Sequence, residues 1–225
     1  MARGRKRLRC RGVLFDLDGV LADSTAVVDR IWRAWAEERG LDGRAVVAIA
    51  HGRPTLEVIR KVAPHLAAEP EARELEEREV AAASGVSPIP GARELLEALP
   101  EPSWAVVTSG TRWLAASRIE AIGARAPRVL VTADDVERGK PDPEGYLKAA
   151  AALGAEARRC VVIEDSPAGI TAARVAGMAV VGVTTTYAAG ELSGAPVLVD
   201  SLEAVRVARV EPSDGLALLE LVVEG

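Results

Sequence analysis

The chain has 225 residues, 49% of them apolar with a single Phe, which suits one compact α/β core with a small satellite and excludes a disordered chain. Its net charge of −5 hides an asymmetry. Residues 1–11 hold six of the 28 basic residues, so the remainder has 22 against 33 acidic ones, a balance that excludes a nucleic-acid footprint for the body of the protein and leaves the basic end to read as a solvated arm.

No apolar stretch is long enough to span a membrane, and the basic end lacks the hydrophobic region of a signal peptide, so the expected location is the cytoplasm. Two cysteines, Cys10 and Cys160, make no disulfide framework, and both are expected as buried, reduced thiols.

In chain order, Val13, Leu14 and Phe15 form a short apolar strand, preceded by Leu8 and Cys10, that stops at Asp16, with Gly19 marking the turn into a loop. Asp16 and Asp18 are two residues apart, so extended geometry puts them on one side of the chain. Carboxylates so close repel, and one must be tuned by a cation or a proton. A lone pair of this kind reads as a solvated turn, but the residues farther along the chain decide against that.

Residues 24–40 carry a helical period, with Val27, Val28, Ile31, Trp32 and Trp35 on the apolar face and Gly40 as the stop. Helices are also expected over 54–63 and 69–84, which leaves the interval from about 22 to 86 helical with no strand. The tryptophans read as core packing of that small bundle. From Gly91 strands and helices alternate: helix 92–99, strand 104–108, helix 111–122, strand 129–132, helix 143–153, strand 160–163, helix 167–176, strand 179–183 and strand 197–199. This pattern implies a doubly wound parallel sheet with helices on both faces. The last segment, around a Pro-Ser-Asp-Gly turn, reads as a β-hairpin packed on the core.

Four stretches fall in one order along this alternation: VLFDLDGVLADS at 13–24, VVTSG ending at Thr108, Ser109 and Gly110, GKPDPEGY around Lys140, and VVIEDSPAGI around Glu164 and Asp165. Together they resemble the motifs of the haloacid dehalogenase superfamily, over residues 12–200. The resemblance implies a Rossmann-like core of residues 1–21 and 88–225 and a helical cap domain of residues 22–87. It assigns Asp16 as the nucleophile that forms an aspartyl-phosphate, and Asp18 as the acid/base that protonates the leaving oxygen and later activates water. Magnesium is the implied cofactor, held by Asp16, Asp165, the Asp18 carbonyl and Glu164 as ligand or outer partner. Ser166 and Pro167 read as the cap and first turn of a helix, which leaves both acids free for the site.

The phosphoryl oxygens need donors. Ser109, the Gly110 and Thr111 amides and Lys140, one of four lysines, supply them, with Thr108 a further candidate. In the cap, HGRPT at 51–55 resembles the His-Gly-x-Arg-Thr stretch of glycerol-3-phosphatases and 2-deoxyglucose-6-phosphatases, which makes His51 and Arg53 the candidate substrate contacts. Here Arg53 directly follows Gly52, and Pro54 fills the family's Arg position.

The expectation is a monomeric, magnesium-dependent phosphatase of small phosphorylated polyols or sugars, a phosphoric monoester hydrolase whose partner is a small metabolite and neither nucleic acid nor membrane. A β-phosphoglucomutase shares the motifs but carries a His twelve residues after the nucleophile, where this chain has Val28. A dehalogenase would lack Asp18. A phospho-accepting receiver domain would be about half as long, without a helical insertion.

Overall fold

The computed structural model describes residues 5–213 and 215–224. In chain order its elements are β1 (Arg5–Cys10), β2 (Gly12–Phe15), β3 (Ala22–Asp23), α1 (Thr25–Glu38), α2 (Gly43–Ala50), α3 (Thr55–Val62), α4 (Ala68–Ala81), β4 (Ser87–Pro88), α5 (Ala92–Ala98), β5 (Trp104–Val107), α6 (Arg112–Ala121), β6 (Leu130–Val131) and α7 (Glu144–Leu153). They continue with β7 (Cys160–Glu164), α8 (Pro167–Val175), β8 (Ala179–Val183), β9 (Leu198–Val199), β10 (Val205–Glu211) and β11 (Leu218–Glu224).

Six strands form one parallel sheet in the order β6-β5-β2-β7-β8-β9. From β2 the chain builds outward through β5 and β6, then returns to the other side of β2 with β7, β8 and β9. The reversal leaves a crevice beyond the carboxyl end of β2, flanked by the ends of β5 and β7, and open α/β sheets bind their ligands at such a point.

The three central strands are buried along their whole length, because helices cover both faces and neither side alternates with water. Val13, Phe15, Val106, Val161 and Ile163 pack on one face with Leu95 and Leu96 of α5 and Ala115 and Ile119 of α6. Leu14, Ala105, Val107 and Val162 pack on the other with Tyr146 and Leu153 of α7 and Ile170 and Ala173 of α8.

The expected C-terminal hairpin is present, with β10 and β11 antiparallel and a register shift between Val207 and Arg209. Residue 214 of its turn lies outside the described residues. Leu219, Leu221 and Val223 of β11 are buried against the core. The basic arm departs from expectation. Residues Arg5–Cys10 are a strand, paired with β11 from Arg5↔Glu224 to Cys10↔Leu219. Their side chains stay largely outside, and Arg7 and Arg9 pair with Glu220. The partner strand lies at the far end of the chain, so local composition gave no sign of it. Cys10 and Cys160 are free and buried, their thiols pushed up to about 12 and about 11 by burial.

Between β3 and β4 the elements are helices α1 to α4 and a short 3-10 turn, and the two chain crossings that bound them pair side by side, Ala22↔Pro88 and Asp23↔Ser87. Helix α2 was not anticipated, because GRAVVAIA is short and rich in β-branched residues. Asp42 caps it, accepting from the Arg44 and Ala45 amides at 2.9 and 3.3 Å. Trp32 and Trp35 are core residues, packed edge to face with centroids 5.7 Å apart. Among the described residues no helix is long and apolar enough to cross a membrane.

Candidate active site

Asp16 leaves β2 at the crevice, its amide donating to the Ile163 carbonyl across the sheet at 3.0 Å. The chain then turns at Gly19, whose φ of +82° disfavours any other residue. A Cβ there would also run into the Asp165 carboxylate and the Thr186 hydroxyl. The turn therefore needs glycine twice over, for its backbone and for the close approach of Asp165.

Asp16, Glu164 and Asp165 are all buried, and one oxygen from each lies within 4.8 Å of the others. Lys140 reaches this cluster from the loop before α7. Its ammonium donates to Asp16, to Glu164 at 2.7 Å and to the Val107 carbonyl at 3.2 Å, and lies 5.2 Å from the centre of the Tyr146 ring. Of the two places expected for Glu164, ligand or outer partner, its contacts favour the second. Its Oε1 also accepts from the Tyr146 hydroxyl at 3.0 Å, and its Oε2 accepts from the Ser166 amide and hydroxyl at 2.7 and 2.9 Å. Ser166 still caps α8, accepting from the Gly169 amide at 3.1 Å, so one hydroxyl serves both tasks. One Glu164 oxygen thus holds Lys140 and the other the start of α8.

The electrostatics follow from burial and charge. Burial pushes the Asp16 carboxyl up to about 7 against the pull of Lys140, and burial with the neighbouring Glu164 and Asp16 holds Asp165 well above its usual range. Glu164 is also penalised by burial, but Lys140 and the Ser166 donors hold it below its ordinary value. Despite burial, Asp16 and Glu164 hold the Lys140 ammonium well above its own. Asp16 and Asp165 thus lack a full counter-charge, and an all-oxygen donor set fits a hard divalent cation.

A testable consequence concerns metal-free protein. A carboxyl that holds its proton harder when folded gives stability that is complete below its unfolded value and is lost as pH rises through its folded one. The melting temperature in EDTA is expected to fall between pH 5.5 and 8, through the value near 7 for Asp16, and a millimolar divalent cation is expected to restore it at pH 8. A flat profile in EDTA would contradict this charge assignment.

On the other flank, Thr108 and Ser109 follow β5. The Ser109 hydroxyl donates to the Gly52 carbonyl at 3.2 Å, which ties this strand end to the 51–53 loop of the helical segment. The Gly110 amide donates to Thr108 Oγ1 at 3.1 Å rather than standing open. Thr111 caps α6, its hydroxyl also bonding Glu76 at 3.1 Å.

Asp18 Oδ1 accepts from Ser24 Oγ at 2.6 Å and from Arg118 Nε at 3.1 Å. A cavity of about 70 Å³ brings together Asp16, Asp18, Val28, Trp32, Ser109 and the 51–53 loop. A larger cleft of about 770 Å³ is also lined by Thr108 and Ser109 and reaches Lys140 and Tyr146, but neither Asp16 nor Asp18. His51 Nε2 meets Asp29 Oδ1 at 2.8 Å, and the Tyr187 hydroxyl donates to the His51 carbonyl at 3.2 Å. Arg53 is exposed at the cavity's edge.

Asp16, Asp18, His51, Arg53, Thr108, Ser109 and Gly110 line one small cavity, and Lys140, Glu164 and Asp165 join it through Asp16, whereas the Thr111 hydroxyl turns to Glu76 and lines the larger cleft. Sequence reasoning missed Tyr146, Ser24, Arg118 and Glu79. Arg118 did carry a signal, as a charge inside the apolar stripe of α6 formed by Leu114, Ala115 and Ile119.

A strand that ends on a buried aspartate at the switch point of a doubly wound sheet, flanked by a buried lysine and further carboxylates, is a site suited to an anionic group. The chain belongs to the haloacid dehalogenase-like hydrolases, whose family model matches residues 10–177. It is 38% identical to hexitol phosphatase A of Escherichia coli, over 92% of this chain and 98% of that protein. It is 37% identical to glycerol-1-phosphate phosphohydrolase 2 of Saccharomyces cerevisiae, over 89% and 86% respectively. The β-phosphoglucomutase of Clostridium difficile superposes with a TM-score of 0.76 over 86% of this chain and 92% of that one, but at 23% identity that likeness shows the fold alone.

Proposed function

We propose that the protein is a Mg²⁺-dependent phosphatase of small phosphorylated polyols or sugars, acting in the cytoplasm as a monomer, with residues 22–87 as a cap over a core of residues 1–21 and 88–225. The observation that carries this reading is the pairing of Asp16, buried beside Lys140, with Asp18 across one small cavity closed by the 51–53 loop. The two relatives of known activity, a hexitol phosphatase and a glycerol-1-phosphate phosphohydrolase, support the substrate class.

The carboxylate of Asp16 attacks phosphorus, and the bond to the ester oxygen breaks as Asp18 gives that oxygen its proton. Asp18 then takes a proton from water, which attacks the phosphorus of the aspartyl-phosphate and returns Asp16 and inorganic phosphate. Lys140 favours the ionised form of Asp16 against the cost of its burial and, with Ser109 and the neighbouring Thr108 and Gly110 groups, meets the charge of the phosphoryl oxygens. Asp16, Asp165 and the Asp18 carbonyl would hold Mg²⁺, with Glu164 steadying Lys140 beside them, and the bound ion would offset charge between carboxylate and phosphate. His51, oriented by Asp29, and Arg53 face the leaving group.

A β-phosphoglucomutase carries a His twelve residues after the nucleophile, and here that position is Val28, on the wall of this cavity. The test is phosphate release, with and without Mg²⁺, from glycerol phosphates, hexitol phosphates, 2-deoxyglucose 6-phosphate and β-glucose 1-phosphate. Mg²⁺-dependent release from the polyol or deoxysugar esters is expected. Glucose 6-phosphate formed from β-glucose 1-phosphate without release would overturn hydrolysis in favour of the mutase.

A further inference from the structure

Arg118 is fully buried on α6, in a stripe where a Leu or Met would pack without desolvating a charge. It lies between two carboxylates from different parts of the chain. Its Nε donates to Asp18 Oδ1 at 3.1 Å, and its Nη2 donates to Glu79 Oε2 at 2.6 Å. Glu79 belongs to α4 in the helical segment and is itself buried. Its other oxygen accepts from the Trp32 indole of α1 at 3.2 Å, so two helices of that segment fix it. Arg118 Nη1 has no partner among the described residues.

A buried arginine with one donor unmet is a poor way to stabilise a helix, since an apolar side chain of similar volume fills the same space at no electrostatic cost. What the arrangement provides is direction. The planar guanidinium presents separate nitrogens at fixed angles, so a carboxylate that holds one edge orients the other. Glu79 holds the Nη2 edge, and the Nε edge points at Asp18. Ser24, at the crossing between β3 and α1, bonds the same Asp18 oxygen at 2.6 Å.

We infer that Arg118 is a positioning residue for the Asp18 carboxylate, and that Glu79 sets Arg118, so that the acid/base is aligned only while the helical segment is seated on the sheet. This rests on the role given to Asp18 under the phosphatase reading. Arg118 acts through Asp18 and touches no reacting atom. If the segment lifts, Glu79 leaves with it, and Arg118 keeps Asp18 but loses the contact that fixes its plane. Alignment of the acid/base is then tied to closure over the substrate, and an open, water-filled site is left with a poorly directed proton donor.

The test compares an alkyl ester, glycerol phosphate, with p-nitrophenyl phosphate, whose leaving group departs without a proton. kcat/KM is measured for Arg118→Met, Arg118→Lys, Glu79→Gln and the Glu79→Gln/Arg118→Met pair, each alone and in an Asp18→Asn background. Arg118→Met is expected to lower kcat/KM for the alkyl ester about 10- to 100-fold and for the aryl ester less than about 3-fold, as misdirection of a single catalytic group would. Glu79→Gln is expected to show the same preference more weakly, and Arg118→Lys to fall between Met and wild type.

In the Asp18→Asn background the Arg118 changes are expected to add less than about 2-fold, because residues acting as one unit are not additive. The paired variant removes both buried charges and keeps the test open if Arg118→Met alone does not fold. Equal losses on both esters, or full additivity with Asp18→Asn, would overturn the proposal and make Arg118 a structural residue. A wild-type protein inactive on both esters would overturn the phosphatase reading and this inference with it. An Asp18→Asn variant that loses the alkyl ester selectively while Arg118 adds independently overturns the inference alone.

Discussion

Replacing Asp16 by Asn is expected to lower phosphate release by about 10⁴-fold or more, the scale on which removal of a covalent nucleophile acts. The amide keeps the size and planarity of the side chain but not its charge, and an amide oxygen is a poor nucleophile toward phosphorus. Two further effects act in the same direction. The variant loses one of the oxygens suited to the cation, and it removes the carboxylate from Lys140, which then pairs with Glu164 alone among the acids it now bonds. Neither change disturbs β2, whose residues pack on both faces of the sheet before Asp16 is reached. The variant is therefore expected to keep wild-type far-ultraviolet dichroism while losing turnover. Retention of full activity would remove the nucleophile assignment altogether.

Asp18→Asn is expected to cost on the order of 10²–10⁴ in kcat/KM with alkyl esters, the usual worth of a positioned acid or base. The carboxylate is held by Ser24 and Arg118 at one oxygen, in the cavity that also holds Asp16. An amide can accept those same hydrogen bonds through its oxygen, so the geometry survives while the proton does not. For p-nitrophenyl phosphate, whose leaving group needs no proton, the loss in kcat/KM is expected to be at least tenfold smaller on the same scale. kcat should fall for both esters if breakdown of the covalent intermediate limits turnover, because Asp18 activates water in that step. An equal loss in kcat/KM for the two esters would contradict the acid role.

Much of this was legible in the sequence because it is local. A continuous apolar run that ends on a carboxylate shows a buried parallel strand and the end that faces the crevice in four or five consecutive letters, and Val13 to Asp16 and Val161 to Asp165 both do so. The order of those runs, with helices between them, is enough for a doubly wound sheet. Three of the four helices in the 22–87 interval follow from their period, and the C-terminal hairpin from its apolar alternation around a turn, although period alone left a helix open for its second arm.

What escaped depends on partners distant in sequence. The arm of residues 5–10 looked solvated because the strand that pairs with it closes the other end of the chain. Whether Glu164 serves as ligand or outer partner was not legible, because Lys140 and Tyr146, which occupy it, come from an earlier loop and helix. Glu79 reads as one more acid on a heavily charged helix, and only the packing of α4 against α6 brings it to Arg118. Helix α2 escaped for a different reason: its sequence has little intrinsic preference for a helix, and its position between α1 and α3, with the Asp42 cap, decides the matter.

The central claim is that phosphoryl transfer passes through Asp16. Its most direct test is a rapid-quench reaction with a radiolabelled substrate ester in the presence of Mg²⁺, followed by borohydride reduction and peptide mass spectrometry. An acyl phosphate should be trapped in the first turnover and reduced to homoserine at position 16, at a level that rises in Asp18→Asn if loss of the base slows breakdown more than formation. Label on any other side chain, or continuing turnover with no trapped protein under conditions that preserve acyl phosphates, would contradict the account.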